Sequence, residues 1–560
     1  VTYGFILTVL SAPSQMVAQS SKVLDKMRID ALEPENRSIS FTNKEAAYYY
    51  MQSHVTNHPE YAWFEGMNVS KNRIFQGYDL YSDGEKLNNS GSKVEVYPYK
   101  MFRQYQVGLK EELWMFDNKN IIEVSLSGEA KSIGIELKGN DISIINKTPS
   151  ISYFKSMAKD YIIGVSAKMP VNIDVKGNFI VSDSKSQGFF IAVGKNIEEV
   201  SSLIQETRKN NLRLKEERIT RMENLLTKNV FISSVDPELS LALNWLEITM
   251  DQLVTKQQGY GIYAGLPCFN EYWGRDEFIS FPGAVLVTGQ FDIAKKILLS
   301  FAKYQDINPS SKFFGRVPNI VNPQNIDYHT TDGTPRFIIE LQDYVKYSGD
   351  TSIIKELYSN IKNSIEGPMK YWMDERGYLL HEDNETWMDA RDQNLVSYSP
   401  RGSRANDIQA LWYKQLLAGV YFADYMKDES SSQKWKAIAL KVRNNFEKDF
   451  IETDKKVNLM ESALSGRILK IFPIPNDANS KWVSYLELSE YEDTELKNLK
   501  NLLPAYMQTL MDATQKQDYQ LANDIVDGIE KFQMKYGSEV RPSDQKIDSE
   551  ILYNKYDIFK

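Results

Sequence analysis

The sequence predicts a multidomain β + α protein, with an N-terminal antiparallel β-sandwich followed by a toroid of paired helices. Three observations carry this prediction. The chain has 560 residues, more than one ordinary core holds, so two to four domains are expected. Between residues 40 and 195 apolar and polar residues alternate in short runs, the pattern of half-buried strands. From about residue 236 the apolar spacing changes to the 3.6-residue period of amphipathic helices.

The elements follow in order. VTYGFILTVL is an apolar run of signal-peptide core length, followed by small residues and the polar SSKVLDKMR. It is too short to cross a bilayer, so residues 1–20 are read as the remnant of an export signal and the protein as periplasmic or secreted. A buried first strand or helix in a cytoplasmic protein is the alternative. The runs KVEVYPYKMF, NIIEVSLSG, SIGIELKG, DISIIN, YIIGVSA and GFFIAVG are the expected strands of a domain over 40–195. NIEEVSSLIQETRKNNLRLKEERITRMENLLTK follows without a Gly or Pro, and its dense charge reads as a solvated linker helix over 196–235. DPELSLALNWLEITMDQLVTKQ opens the helical region with an Asp-Pro cap. Further helices are expected at DEFISFPGAVLVTG, FDIAKKILLSFAKYQ, TPRFIIELQDYVKYSG, TSIIKELYSNIKNSIEGPMKYWMDE, NDIQALWYKQLLAGVYFADYM and SQKWKAIALKVRNNFEKDF, with more between 493 and 536. Tight turns and long polar loops alternate between them. That alternation suits a toroid whose long loops gather at one end.

Composition narrows the chemistry. A formal net charge of -9 opposes a nucleic-acid partner, which needs a basic footprint. A single cysteine, Cys268, excludes an intramolecular disulfide framework. Two of the four histidines, His54 and His58, have a metal-site spacing, but they lack the zincin glutamate and Pro59 follows at once, so no metal is expected there. With histidine this scarce, acid and base work falls to Asp and Glu. Aromatic residues make up 12% of the chain, which suits both cores and sugar stacking.

Three loop segments concentrate polar and aromatic residues. In CFNEYWGRDEF (268–278), Trp273, Arg275 and Asp276 stand at a loop-to-helix junction. A capped helix start explains the acids; a guanidinium beside a carboxylate also suits vicinal hydroxyls, with Trp273 as a stacking face. FFGRVPNIVNPQNIDYHTTDGTPRF (313–337) is long, and Phe313, Phe314, Val317 and Ile320 predict that it is packed. Tyr328, His329 and Asp332 lie in it. HEDNETWMDARD (381–392) sets five carboxylates around Trp387 and Met388. Either it is a helix-flanking acidic loop, or Asp389 is a general acid kept protonated by the apolar pair beside it. Glu382, Asp383 and Glu385 are then expected to form a solvated entrance, with Asp392 unassigned. RGSRANDIQALWY (401–413) follows and opens the next helix with Asn406, Asp407, Gln409 and Trp412.

Taken together, WGRDEF, GRVPN, DYHTTDGTPRFI, TWMDA and NDIQALWY resemble, in order and spacing, the amylo-α-1,6-glucosidase family, the C-terminal catalytic domain of glycogen debranching enzymes. The motifs cover about residues 245–425, and TNKEAAYYYMQ, NVSKNRIFQGYDL and VYPYKMFRQY look more loosely like the sandwich that precedes such domains. The resemblance implies an (α/α)6 barrel over 236–560 and an inverting glycosidase that removes α-1,6-linked glucosyl residues from branched α-glucans. It implies Asp389 as general acid and Trp273, Arg275 and Asp276 as the lining of the terminal-sugar pocket. Asp332, Trp387, Gln409 and Trp412 are placed on neighbouring positions of that pocket. A carbohydrate is the implied partner, and no metal or organic cofactor is implied.

The family pattern is not complete here. A His-Gln-Gly-Thr-Val-Trp-Pro-Trp type segment, beyond which the family's basic glutamate lies, is not found; SEVRPSDQK (538–546) resembles a string that normally precedes it. Eight or nine barrel helices are counted where twelve are needed, and 455–535 departs from the pattern. The expectation is a toroid truncated at its C-terminal side, with the base outside this chain; a divergent protein with a different base or none is the alternative. The alternatives are another toroidal exo-glycosidase, trehalase-like or glucoamylase-like, and a non-catalytic carbohydrate-binding protein.

Overall fold

A computed structural model describes residues 23–55, 62–229, 234–451, 463, 465, 467–492 and 494–556. The export-signal reading at 1–20 and the metal-spacing partner His58 lie outside them. The chain has an antiparallel β-sheet N-terminal region followed by a helical C-terminal region, and it divides into two units, 1–442 and 443–560.

The larger sheet of the first unit has nine antiparallel strands. Their order is Ile29–Ala31, Lys93–Val96, Lys100–Gln104, Lys110–Met115, Ile121–Ser127, Gly188–Gly194, Ile162–Ala167, Ile151–Lys155 and Ser143–Lys147. A five-stranded sheet contains Gly77–Ser82, Ser132–Lys138 and Phe179–Asp183, and a four-stranded sheet starts at Ser38–Thr42 and Ala47–Gln52. Most of the alternating runs form strands because one side of them enters a shared core; Ser143–Lys147, from DISIIN, is an exposed edge strand, and Gly188–Gly194 is buried on both faces. Ile39, Phe41, Met67, Ile135, Ile180, Leu113, Val124 and Ile191, drawn from all three sheets, belong to one buried cluster.

Helix α1, Ile197–Lys228, corrects the expectation of a solvated linker. Asn196 caps it by accepting from Glu199 N at 2.8 Å, and Glu199 reaches back to Lys195 N at 2.7 Å. Val200, Ile204, Leu214, Met222 and Leu225 recur at helical spacing among the charges and are buried. The first three pack on the second face of the nine-stranded sheet with Tyr153, Phe190 and Ala192. Some of the charges are also engaged. Burial pushes the Glu123 carboxyl up, but Lys215 and Lys168 outweigh that and hold it at about 2.

Helix α2, Pro237–Leu253, starts where the Asp-Pro signal puts it, with Asp236 accepting from Glu238 N at 2.9 Å. Its C-terminal end is fastened to the β region. Thr42 Oγ1 donates to Gln252 O at 2.8 Å, Lys44 Nζ meets Asp251 Oδ1 at 3.0 Å, and Arg221 bridges Asp251 and Asp117. This fastening places the next segment, a small antiparallel sheet running Val254–Thr255, Gly261–Gly265, Phe269–Trp273, Ile320–Val321 and Ile326–Asp327.

Helix α3, Gly274–Phe281, then begins directly off the third of these strands. The sequence pattern reads one helix through Pro282, but the proline has no N–H to give, and α3 passes into a π turn over Pro282–Leu286. Helices α4 (Phe291–Lys303), α5 (Gly333–Ser348), α6 (Ser352–Tyr371), α7 (Asn406–Met426) and α8 (Glu429–Phe446) follow close to their predicted limits. Phe278, Phe301, Phe337, Leu341, Ile361 and Phe422 form their shared core.

In the unit from 443 onward, a short hairpin of Phe472–Pro473 and Trp482–Val483 accompanies helices α9 (Thr494–Leu499), α10 (Leu502–Lys516), α11 (Gln520–Tyr536) and α12 (Asp544–Tyr556). Phe472, Val483, Leu488 and Leu496 are its buried centre.

Candidate active site

The three motif-bearing loops meet at Arg275. Strand Phe269–Trp273 pairs with Ile320–Val321 through Tyr272 and Trp273, so the WGRD and GRVPN segments lie side by side. Gly274 N donates to Asn319 O at 2.6 Å, and a Cβ on Gly274 would stand 2.3 Å from Pro318 O. Only glycine lets the helix start this close to the loop.

Arg275 is 6% exposed and spends its guanidinium on four acceptors. Nε donates to Asp332 Oδ2 at 2.7 Å and Nη1 to Asp389 Oδ2 at 2.8 Å. Nη2 donates to Thr330 Oγ1 at 3.1 Å and Thr386 O at 2.8 Å. Thr330 Oγ1 in turn donates to Asp332 Oδ1 at 2.6 Å. Burial works against the charge on Arg275, but Asp332 and Asp389 outweigh it and raise the group's proton affinity. Asp389 keeps 33% of its side chain exposed, and its Oδ1 has no hydrogen-bond partner among the described residues.

The surroundings of Asp389 differ from the apolar sheath that the sequence suggests. Trp387 is 53% exposed, and the carboxylate rests on Arg275 instead. The half-buried Trp273 donates its indole N–H to Glu271 Oε1 at 3.3 Å. Asp276 faces outward from the first turn of α3. Desolvation pushes its carboxyl up, Arg275 beside it opposes this, and Asp332 and Asp389 push further up.

Glu385 corrects the expectation of a solvated entrance residue, for it is fully buried. Arg316 of the GRVPN motif holds it through Nη1 to Oε1 at 2.5 Å and Nη2 to Oε2 at 3.3 Å. Thr331 Oγ1 and Glu382 N add bonds to Oε2 at 3.1 and 3.0 Å. Burial pushes the Glu385 carboxyl up, and Arg316 overcomes it, so the net shift is downward. The Arg316 guanidinium sits 4.5 Å from the Trp372 ring centre and 5.3 Å from that of Phe313. The 313–337 loop is packed, as its apolar residues predict, with Val317 fully buried. Glu382 and Asp383 are exposed, and Asp392 accepts from Asn394 N and Val396 N at 2.9 and 2.8 Å, closing its own turn.

Gln409 and Trp412 are corrected from pocket lining to supports beneath the loop. Both are fully buried. The Gln409 amide accepts from Leu379 N and donates to Leu379 O, each at 2.9 Å, and Trp412 Nε1 donates to Gly377 O at 3.1 Å. His381 Nε2 accepts from Ala405 N at 2.8 Å, tying the two ends of the 381–405 segment together. Arg316, Thr330 and His381 were given no role by the sequence, and Glu385 was given a solvated one. The arginine in GRVPN was the available signal, since a lone arginine in an apolar packed loop needs a carboxylate. His54 is buried far from this cluster in sequence, with Nδ1 on Ser53 Oγ at 2.9 Å and Nε2 on Ser92 O at 3.1 Å.

A family model described as amylo-alpha-1,6-glucosidase matches residues 230–530, more than half of the chain. The chain belongs to this family. It is 34% identical over 120 residues to the glycogen debranching enzyme of Saccharomyces cerevisiae, which covers 19% of this chain and 7% of that enzyme. It is 29% identical over 118 residues to protein NrfI of Wolinella succinogenes, covering 21% of this chain and 13% of that protein. The chain thus matches only a small part of each of these relatives. Among solved structures, a bacterial glucoamylase complexed with acarbose aligns with a TM-score of 0.42 at 12% identity, over 75% of this chain and 69% of that one. A family GH92 inverting mannosidase from Bacteroides thetaiotaomicron aligns with a TM-score of 0.38 at 11% identity, over 71% and 58%. Membership makes residues 230–530 a domain of glycoside-hydrolase type. No helix among the described residues is long and apolar enough to cross a membrane.

Proposed function

We propose that the chain belongs to an inverting glycosidase that removes α-1,6-linked glucosyl residues from branched α-glucans, with Asp389 as general acid. The observation that carries the reading is the half-open Asp389 carboxylate, oriented through Oδ2 by a buried arginine while Oδ1 has no hydrogen-bond partner among the described residues. In its protonated form Asp389 gives the proton on Oδ1 to the glycosidic oxygen, and the bond from that oxygen to the anomeric carbon breaks with its electrons going to the oxygen. Water's oxygen bonds to the anomeric carbon from the opposite face, and its proton passes to the base that inversion requires. Asp276 is exposed next to Arg275 in sequence, and its raised proton affinity suits it to hydrogen-bond sugar hydroxyls. Trp273 and Trp387 offer rings for the sugar faces. Inversion requires a second carboxylate about 6.5–9.5 Å from the acid to activate water on the opposite face. No described residue is assigned that role. The reading carries the finer architecture with it, the sheets as a two-layer sandwich and the helices as part of an (α/α)6 toroid.

The test is glucose release from isomaltosyl-branched dextrins, with trehalose and linear maltooligosaccharides assayed alongside and the product anomer read by NMR. The reading expects β-glucose from the branched substrate and a loss of at least about 100-fold in kcat for Asp389→Asn. Release from trehalose or linear chains alone would replace it with one of the other toroidal specificities.

A further inference from the structure

The β region carries a second feature with the chemistry of a sugar site. Trp63 is 72% exposed, the most exposed tryptophan among the described residues. Its backbone is nevertheless pinned. Arg73 Nε donates to Glu65 O at 2.9 Å and Nη2 to Ala62 O at 2.7 Å, and Asn68 Nδ2 donates to Phe64 O at 2.8 Å. Three side-chain donors therefore hold residues 62–65 while the indole between them is offered to solvent. A tryptophan discarded from the core would have no such scaffold.

Beside the indole lies a cleft of about 740 Å³, bordered by Arg73, Asp79, Glu136, Asn140 and Asn178. That volume falls within the range of small-molecule sites. Asp79 and Glu136 are cross-strand partners on the five-stranded sheet, so two carboxylates stand opposite one another, which by itself is repulsive. Both are fixed in place. Lys86 and Lys138 hold Asp79 at 2.6 and 2.8 Å, and the Tyr81 hydroxyl donates to Glu136 Oε2 at 2.6 Å. The inward face of the same strands, with Leu80, Ile135 and Ile180, already supplies the core, so the packing of the fold does not call for this outward pair. Acidic and basic groups offset one another across the cleft, leaving little field to select a charged partner. Oriented carboxylates and amides next to an exposed indole on a pinned backbone suit a neutral polyol that has one apolar face.

We propose that Trp63 and this cleft form a second carbohydrate site, separate from the Arg275 cluster, which binds a glucosyl chain with the indole stacked on a sugar ring. The choice of a glucosyl chain rests on the glucan-active reading above. Holding one branch of a polymer here raises the local concentration of the others at the catalytic loops.

Affinity electrophoresis of the full chain tests this, in native gels cast with glycogen, dextran or β-mannan. Wild type and Asp389→Asn are expected to be retarded equally by the α-glucans. Trp63→Ala should bind about fivefold to tenfold more weakly, with its melting temperature and its turnover of a small soluble substrate unchanged, and Trp63→Phe should recover part of the retardation. Unchanged retardation of Trp63→Ala, or no retardation of wild type in any α-glucan gel, would overturn the proposal. Retardation by the mannan alone would overturn the glucosyl assignment. Failure of the catalytic reading looks different: hydrolysis is absent while Trp63-dependent retardation persists.

Discussion

Arg275 Nη1 donates to Asp389 Oδ2 at 2.8 Å across 114 residues of chain, and the same guanidinium holds Asp332 at 2.7 Å. A lysine cannot reproduce this. Its ammonium is a point charge, whereas four acceptors in different directions need the planar fork. Arg275→Lys is expected to lower kcat/KM at least about 100-fold. It should also cost about 1–3 kcal/mol in urea unfolding, because a lysine leaves buried acceptors such as Thr386 O without the donors the guanidinium supplies. A variant with wild-type kinetics would show that the clamp does not orient the acid.

The Arg316–Glu385 pair holds the acid loop from below, and neither side chain meets water appreciably. Glu385→Gln leaves the arginine charge unpaired, so a loss of about 3–5 kcal/mol is expected. Limited proteolysis should then cut within 381–405 faster than in wild type, since the bonds from Thr331 and from Glu382 N also converge on Glu385.

Trp387 and Gln409 separate binding from support. Trp387 is half open, so Trp387→Ala should raise KM several-fold while shifting the unfolding midpoint little. Gln409→Ala removes both bonds to Leu379 from a buried site and should cost about 1–3 kcal/mol. Its kinetic defect should follow from a loosened loop, with kcat falling more than KM changes. Equal KM effects from both variants would put Gln409 in contact with substrate after all.

Glu340 on α5 predicts a pH dependence of stability. Desolvation, with Asp343 nearby, pushes its carboxyl from 4.5 up to about 8, against Lys414, Arg336 and Lys346. The folded state therefore binds this proton more tightly than the unfolded chain does. The stability it contributes is fully present below about pH 4.5 and is lost as the pH rises through about 8. Glu340→Gln, neutral at every pH, should flatten that decline and leave the protein about 1–3 kcal/mol more stable than wild type at pH 8. Chemical denaturation at pH 5 and pH 8 measures the difference.

Much of the strand and helix pattern was legible because most elements bury one face, and burial writes its period into the sequence. GFFIAVG and SIGIELKG read as strands, and Asp236-Pro237 marked a helix start that the structure reproduces. Helix α1 was misjudged because its apolar stripe is diluted by charges, several of which are themselves partnered, as with Lys215 on Glu123. Charge density alone does not separate a solvated face from a salt-bridged one.

The sequence by itself determined the chemistry available here: which carboxylates, arginines and tryptophans lie in loops, and the family to which their order belongs. It could not say which of them touch, because residues 30 to 114 positions apart meet only when the strand and helix packing closes. Tertiary structure alone decided that Glu385 is buried under Arg316, that Gln409 serves the backbone of Leu379, and that Asp389 rests on a guanidinium rather than within an apolar sheath. In each case the deciding quantity is desolvation, which a residue's neighbours in space set and its neighbours in sequence do not.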